Sequence, residues 1–164
     1  MQIPISDGSG ELIRFANFAS QHVIPRHVDI WCPPGYAAAP ETRYPVIYMH
    51  DGQNLFDPAL ANTGVDWGVD EAIVRIMRRT GLPGAIVVGS WCTELRRREY
   101  MPQRPLSGPA GAGLLADFVQ TQAGAPLADQ YLRVLVGELK PFVDARLRTQ
   151  PGQPSTTILG ASMG

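Results

Sequence analysis

The chain has 164 residues, enough for one domain with a substantial core, and its 45% apolar and 18% charged residues are the balance of a globular protein. A formal net charge of −1 offers no basic surface for tracking phosphates, so nucleic acid is not an expected partner. No run approaches 18 apolar residues, so no membrane span is expected, and the first eight residues lack the basic start and apolar stretch of a secretory signal, which makes the cytoplasm the default location.

Two cysteines, Cys32 and Cys92, are too few for a disulfide framework and fit no metal-ligand spacing; free thiols are expected, with no metal and no cofactor. In chain order, residues 11–19 can form an edge strand. Arg26 to Cys32 alternates polar and apolar residues, as a strand with one wet face does. Pro33-Pro34-Gly35 stops it. Val46 to His50 is apolar without alternation, which suits a strand covered on both faces. It runs into Asp51-Gly52-Gln53-Asn54, a turn of residues that tolerate unusual φ.

A helix is predicted from near Asp66, with Val69, Ala72, Ile73, Ile76 and Met77 on one stripe. Asp66, Asp70 and Glu71 at its start and Arg75, Arg78 and Arg79 toward its end agree with the helix dipole, and Gly81 closes it. Residues 84–89 make another uniformly apolar strand. The stretch from Ser90 to Gln130 is irregular, with a short helix predicted around residues 113–120. From Pro126 on, Leu132, Leu135, Val136, Leu139, Phe142 and Val143 form a second helical stripe, which Pro141 should kink or restart. Thr156 to Leu159 is the last strand. This rhythm of strands and helices predicts an α/β fold, a mostly parallel sheet with helices on both faces.

The last strand leads into Gly160-Ala161-Ser162-Met163-Gly164, which fits Gly-x-Ser-x-Gly, a motif that lifts a serine hydroxyl above the end of a parallel sheet. Ser162 is therefore the candidate nucleophile, and it needs a histidine oriented by a carboxylate to take its proton. The developing oxyanion needs two preorganised N–H donors. The amide after the nucleophile, Met163, is one. The turn after Val46 to His50 supplies the other, assigned to the Gln53 N–H, with Gly52 giving it room.

The run Tyr44-Pro45-Val46-Ile47-Tyr48-Met49-His50-Asp51-Gly52-Gln53-Asn54-Leu55-Phe56-Asp57 resembles the signature of the putative esterase family of the α/β-hydrolases. That family includes enterochelin-esterase-like enzymes, feruloyl and acetyl-xylan esterase modules, and mycolyltransferase relatives. The resemblance continues through Trp67, Asp70-Glu71, Arg96, Arg98, Glu99-Tyr100, Pro102, Tyr131-Leu132 and Glu138 to Phe142, and ends on the serine motif. It spans nearly all of residues 24–164 and leaves 1–23 as a weakly defined N-terminal segment. It implies a serine carboxylic-ester hydrolase working through an acyl-enzyme on Ser162, with a small-molecule or carbohydrate-linked ester as substrate. Acyl transfer to a sugar or lipid hydroxyl by the same serine, or a non-catalytic relative that binds carbohydrate, are the alternatives. Ala161 stands where the family often has serine, and Cys92 where it has asparagine.

The resemblance implies that the acidic triad member and the histidine follow the serine, whereas His22, His27 and His50 all precede it. The chain thus reads as the N-terminal half of an α/β-hydrolase, a single incomplete domain cut after the nucleophile, with the later strands missing. Three expectations follow. The last strand should lie at an open sheet edge, the chain alone should have little or no esterase activity, and Cys32 and Cys92 should sit at opposite rims of antiparallel strands. His50 reads as a structural residue beside the serine turn, and His22 and His27 as surface or strand residues. Asp51 and Asp57 read as loop carboxylates bonded to their own turns. The expected cleft lining is His50, Asp51, Gly52, Trp91, Arg96 and Arg98, with Arg97 solvated and one arginine of this run paired to Glu99. Trp31 and Trp67 are expected in the core or at its rim.

Overall fold

A computed structural model of the protein describes Gln2–Ile3 and residues 10–164. Among the described residues six strands form one sheet in the order β1-β2-β3-β5-β4-β6, where β1 is Gln2–Ile3, β2 Glu11–Phe18, β3 Arg26–Cys32, β4 Val46–His50, β5 Ile86–Ser90 and β6 Thr156–Leu159. The sheet is mixed, not mostly parallel. The β1–β2, β2–β3 and β3–β5 pairs are antiparallel, and only β5–β4 and β4–β6 are parallel. Connection length explains the difference. Residues 19–25 are too few for a crossover, so β2 and β3 must pair as a hairpin, whereas β4 reaches β5 and β5 reaches β6 through helical crossovers. The strand predicted over residues 11–19 forms, but β1 lies outside it and takes the edge.

Helices cover both faces, as expected. On one face, Val28, Ile30, Val46, Tyr48, Ile86 and Val88 pack with Tyr131, Leu135, Leu139 and Val143. On the other, Trp31 and Val87 pack with Leu55, Phe56 and Val74 of helix α1, Val69–Thr80. Alternate residues of β3 and β5 therefore enter opposite cores, which is the period-two geometry of a doubly covered strand. This corrects the reading of β3 as a strand with one wet face: six of its seven residues are buried. Its polar members are paired, Asp29 with Arg14 of β2 at 2.7 Å and Arg26 with Glu99.

Two helices depart from their predicted stripes. In α1 the buried positions are Asp70 and Val74, with Val69 and Ile73 beside them, while Ile76 is 52% exposed. The apolar stripe is therefore rotated by part of a turn. Gly81 caps the helix at φ 71, a left-handed conformation that glycine adopts without a Cβ penalty. The C-terminal helical stretch runs as α4, Ala128–Arg133, a π-helical segment over Val134–Leu139, and α5, Lys140–Arg146. A new α-helical segment starts at Pro141, one of the two outcomes expected of it: α5 begins at Lys140 with the proline in its first turn, and the helical path continues through the junction. Proline lacks an N–H and its ring crowds the carbonyl four residues back, and the wider π turn makes room for both. Leu132 and Val136, predicted on the core stripe, are exposed.

The irregular stretch holds the short α-helices α2, Arg96–Glu99, and α3, Ala112–Thr121, with 3₁₀ turns over Arg104–Leu106 and Pro109–Gly111 between them. Strand β6 pairs with β4 alone and forms one edge of the described sheet, with Ile158 and Leu159 exposed. Cys32 and Cys92 are free thiols. Trp31 pairs with Val87 and Val28 with Ser90, so Cys32 and Cys92 lie beyond opposite ends of the β3–β5 pairing. Among the described residues no helix is long and apolar enough to cross a membrane.

Candidate active site

Strands β4 and β6 run parallel, with Met49 beside Leu159, so the turn after each strand emerges at the same rim. After β6 the backbone bends sharply. Ser162 has φ 58, in the left-handed region that a non-glycine residue enters only when its surroundings impose it. The turn is closed by the Gly164 N–H donating to the Ala161 carbonyl at 3.0 Å, and Ser162 is exposed above it. The flanking glycines have a steric cause. A Cβ on Gly160 would lie 2.0 Å from the Gly164 carbonyl carbon and 2.9 Å from the His50 ring. Gly164 itself rests on Asp51, His50 and Tyr100, and a Cβ there would meet them at 3.1–3.3 Å, a tight contact that small shifts could relieve.

The turn after β4 lies against it. Asp51 is also left-handed, at φ 56 and ψ 46, and starts a 3₁₀ turn over Gly52–Asn54. Its first bond is Asn54 N–H to the Asp51 carbonyl at 2.9 Å, so the turn gives the Gly52 and Gln53 amides no acceptor of its own. Gly52 approaches the Gly89 backbone so closely that a Cβ would sit 2.5 Å from it. The Gln53 side chain is tied to Cys92: Nε2 donates to Sγ at 2.8 Å, and the Cys92 N–H donates to Oε1 at 3.2 Å. Cys92 thus makes a polar contact of its own where the family resemblance leads one to expect asparagine.

His50 packs beneath the serine turn. Its Nδ1 is 2.9 Å from the Tyr131 hydroxyl, and its ring lies 5.2 Å from that of Tyr100 and 5.5 Å from that of Tyr131. Burial lowers its pKa, against the pull of Asp51 upward and with the help of Arg96. Burial likewise pushes the Tyr131 hydroxyl up to about 12, so it stays protonated and able to hydrogen-bond. His27 accepts from the Asn17 N–H at 3.1 Å and packs on Trp91, and His22 lies 4.0 Å from Glu138. Among the described residues no histidine is hydrogen-bonded to Ser162.

Other candidates fall differently from expectation. The Asp51 carboxylate does not bond its own turn; Arg96 holds it through Nε at 2.7 Å and Nη2 at 2.8 Å. Asp57 does bond its own turn, accepting from the Ala59 N–H at 2.8 Å. Arg96 therefore supports the turn from behind, with its guanidinium also over the Tyr100 ring. Arg98 is engaged away from the serine turn, donating to the Ala125 carbonyl at 2.8 Å with the Gly124 backbone lying on its guanidinium. Trp91 turns toward β2 and β3, with Nε1 donating to Asp29 at 2.8 Å and Arg14 over its ring. Glu99 is paired not with a neighbouring arginine but with Arg26 of β3, and it also accepts from Thr93 at 3.0 Å. Arg97 is exposed and Trp31 is in the core, as expected, whereas Trp67, expected in the core or at its rim, is 39% exposed.

Tyr100 and Tyr131, which carry the Asp51 and His50 contacts, received no role from the sequence. Their signal was indirect: buried tyrosines need partners for their hydroxyls. The Asp66, Asp70 and Glu71 ligand atoms converge within 4.8 Å, at the start of α1 where the helix dipole favours acids. A groove of about 740 Å³ on the outer side of α4, lined by Leu132, Val136, Arg104 and Arg133, shares no residue with the serine turn.

Comparison with known proteins places this geometry. No curated protein sequence matched. Among solved structures, an IroE-like serine hydrolase from Shewanella oneidensis superposes with a TM-score of 0.62 at 23% identity, over 94% of this chain and 43% of the other. The BES protein from Bacillus cereus gives 0.59 at 20% identity, over 100% and 57%. A ferulic acid esterase from Anaeromyces mucronatus, solved in complex with ferulic acid, gives 0.57 at 14% identity, over 94% and 50%. At these identities the likeness establishes the fold, and the chain spans about half the length of these structures. The Putative esterase family matches residues 24–164, the span over which the sequence carries its linked motifs, and the chain belongs to that family.

Proposed function

We propose that the chain carries the nucleophile and oxyanion-hole half of a serine carboxylic-ester hydrolase. Ser162 Oγ attacks the ester carbonyl carbon while a base takes its proton. The Gln53 and Met163 N–H groups hold the oxyanion of the tetrahedral intermediate, the alcohol leaves, and water then frees the acid from the acyl-enzyme. The observation that carries this reading is Ser162 itself, held at φ 58 at the end of a parallel strand between two glycines, the first of which has no room for a side chain.

His50 is not the base in this reading. Its Nδ1 is engaged with Tyr131 and its ring supports the backbone of the turn. We place the triad acid and histidine in the part of the relatives' length that this chain does not span. Because one similar structure holds ferulic acid, an ester of an aromatic acid, free or carbohydrate-linked, is the first substrate class to try. The test is hydrolysis of an activated aryl ester and of ethyl ferulate by the 164-residue chain and by a chain extended through a late histidine. The short chain is expected to stay near the buffer rate. The extended chain is expected to turn over and to lose at least about 10³-fold in Ser162→Ala. Full turnover that survives Ser162→Ala would overturn the assignment.

A further inference from the structure

We propose that Cys92 is a positioning residue for the oxyanion turn: through its thiol and its backbone N–H it fixes the orientation of Gln53, and with it the direction of the Gln53 amide. The proposal rests on the reading of that amide as an oxyanion donor. Gln53 is 7% exposed, and both ends of its primary amide are spent on one residue, Nε2 on Cys92 Sγ and Oε1 on the Cys92 N–H. An amide held at both ends can neither flip nor swing about its last torsion.

Burial raises the pKa of the Cys92 thiol, so it keeps its proton at neutral pH and stays a neutral partner for the Gln53 amide. Cys92 therefore grips the residue immediately after Gly52 by two hydrogen bonds. Gly52 is pressed onto Gly89 of β5, the strand that ends two residues before Cys92. The anchor is firm because Ser90 is in register with His50 on β4 and with Val28 on β3. A donor helps an oxyanion only when it lies about 2.7–3.1 Å from where that oxygen forms, so a turn braced against a strand end is what this chemistry requires.

Two measurements decide the proposal. The first needs no catalysis: hydrogen exchange at the Gln53 side-chain and backbone amides, followed by NMR in the 164-residue chain. Cys92→Ala is expected to speed both by about tenfold, the scale of a lost hydrogen bond. Cys92→Ser, which keeps a donor and an acceptor in place, is expected to restore most of the protection. Unchanged exchange in Cys92→Ala, or identical behaviour of the two variants, overturns the proposal. If Cys92→Ala does not fold, Gln53→Met probes the same contact from the other side. Faster reaction of the Cys92 thiol with a disulfide reagent is then expected, and an unchanged rate overturns it. The second measurement uses the hydrolytically competent, extended chain. Cys92→Ala should lower kcat by about tenfold with KM unchanged, and Cys92→Ser should recover part of it. An effect confined to KM overturns the role. If hydrolysis proves independent of Ser162, the esterase reading falls, and the exchange rates alone decide whether Cys92 orients Gln53.

Discussion

Arg96 and Asp51, 45 residues apart in the chain, are joined by two parallel hydrogen bonds of 2.7 and 2.8 Å. The carboxylate they enclose belongs to a residue with φ 56, and the Asp51 N–H also donates to the Tyr100 hydroxyl at 3.3 Å. A left-handed non-glycine residue persists only when its surroundings over-determine it. Here an arginine fork, a tyrosine hydroxyl and the serine turn all bear on the same few atoms. The second left-handed residue of the site, Ser162, lies in the turn packed against it, so the two strained positions support one another.

Replacing Arg96 by alanine would leave the Asp51 carboxylate, 3% exposed, without its cation. A charge-assisted pair that is partly solvated on the arginine side should cost about 2–3 kcal/mol when broken. Chemical denaturation of Arg96→Ala should show that loss, while Arg97→Ala, at an exposed position of the same helix, should stay within about 0.5 kcal/mol of the parent. Equal midpoints for the two variants would contradict the assigned role of Arg96.

The two glycines of the serine motif should differ in what they tolerate. Gly160→Ala places a methyl group 2.0 Å from backbone atoms and must displace the turn, whereas Gly164→Ala meets its neighbours at 3.1–3.3 Å. Limited proteolysis at the turn should therefore accelerate strongly in Gly160→Ala and little in Gly164→Ala. The reverse order would mean that the glycines serve something other than close backbone approach.

How far the sequence disclosed these features depends on the range of the interaction behind each. The Ser162 turn was legible because its signal is local: a β-prone run, then glycines at fixed offsets. The crossover helices and the double covering of β4 and β5 were legible for the same reason, since uniform apolar runs and i, i+3, i+4 spacing are short-range patterns. The mixed character of the sheet was missed although part of its mark is local: the seven residues 19–25 leave no room for a crossover between β2 and β3, whereas the strand order β3-β5-β4-β6 is set by long-range pairing that no local pattern carries. Arg26 with Glu99 and Arg96 with Asp51 were also invisible, being pairs that only the folded chain brings together. In α1 the stripe was misplaced because an apolar residue, Ile76, lies outside, while an acid, Asp70, lies inside.

The Arg26–Glu99 pair gives a sharper stability test, because both side chains are at most 1% exposed. Glu99→Leu leaves a buried guanidinium over the Tyr131 ring with no carboxylate, which should cost about 3–5 kcal/mol. The double replacement Arg26→Met with Glu99→Leu removes both charges and both desolvation costs, so most of that loss should return. A double variant as unstable as the single one would mean that the site depends on the hydrogen bonds to Thr93 and Ile24 more than on charge balance.

His50 should make the fold sensitive to mild acid. Burial is the largest cause of its lowered pKa, and the nearby Asp51 carboxylate only partly offsets it. The hydrogen bond to Tyr131 survives protonation, because a hydroxyl can accept from Nδ1–H as readily as donate to it. What protonation adds is a charge inside a tyrosine-lined site. In the unfolded chain the ring titrates near its ordinary value of 6.5, so below that pH the unfolded state binds a proton that the native state does not. The His50 contribution is therefore complete above pH 6.5 and declines as pH falls toward the native-state value, with a slope of up to about 1.4 kcal/mol per pH unit. His50→Gln keeps a hydrogen-bonding partner for Tyr131 but cannot titrate. Denaturation midpoints between pH 7 and pH 5 should fall for the parent chain and fall distinctly less for His50→Gln. Parallel curves for the two would show that the buried ring under the serine turn is not the group that senses acid.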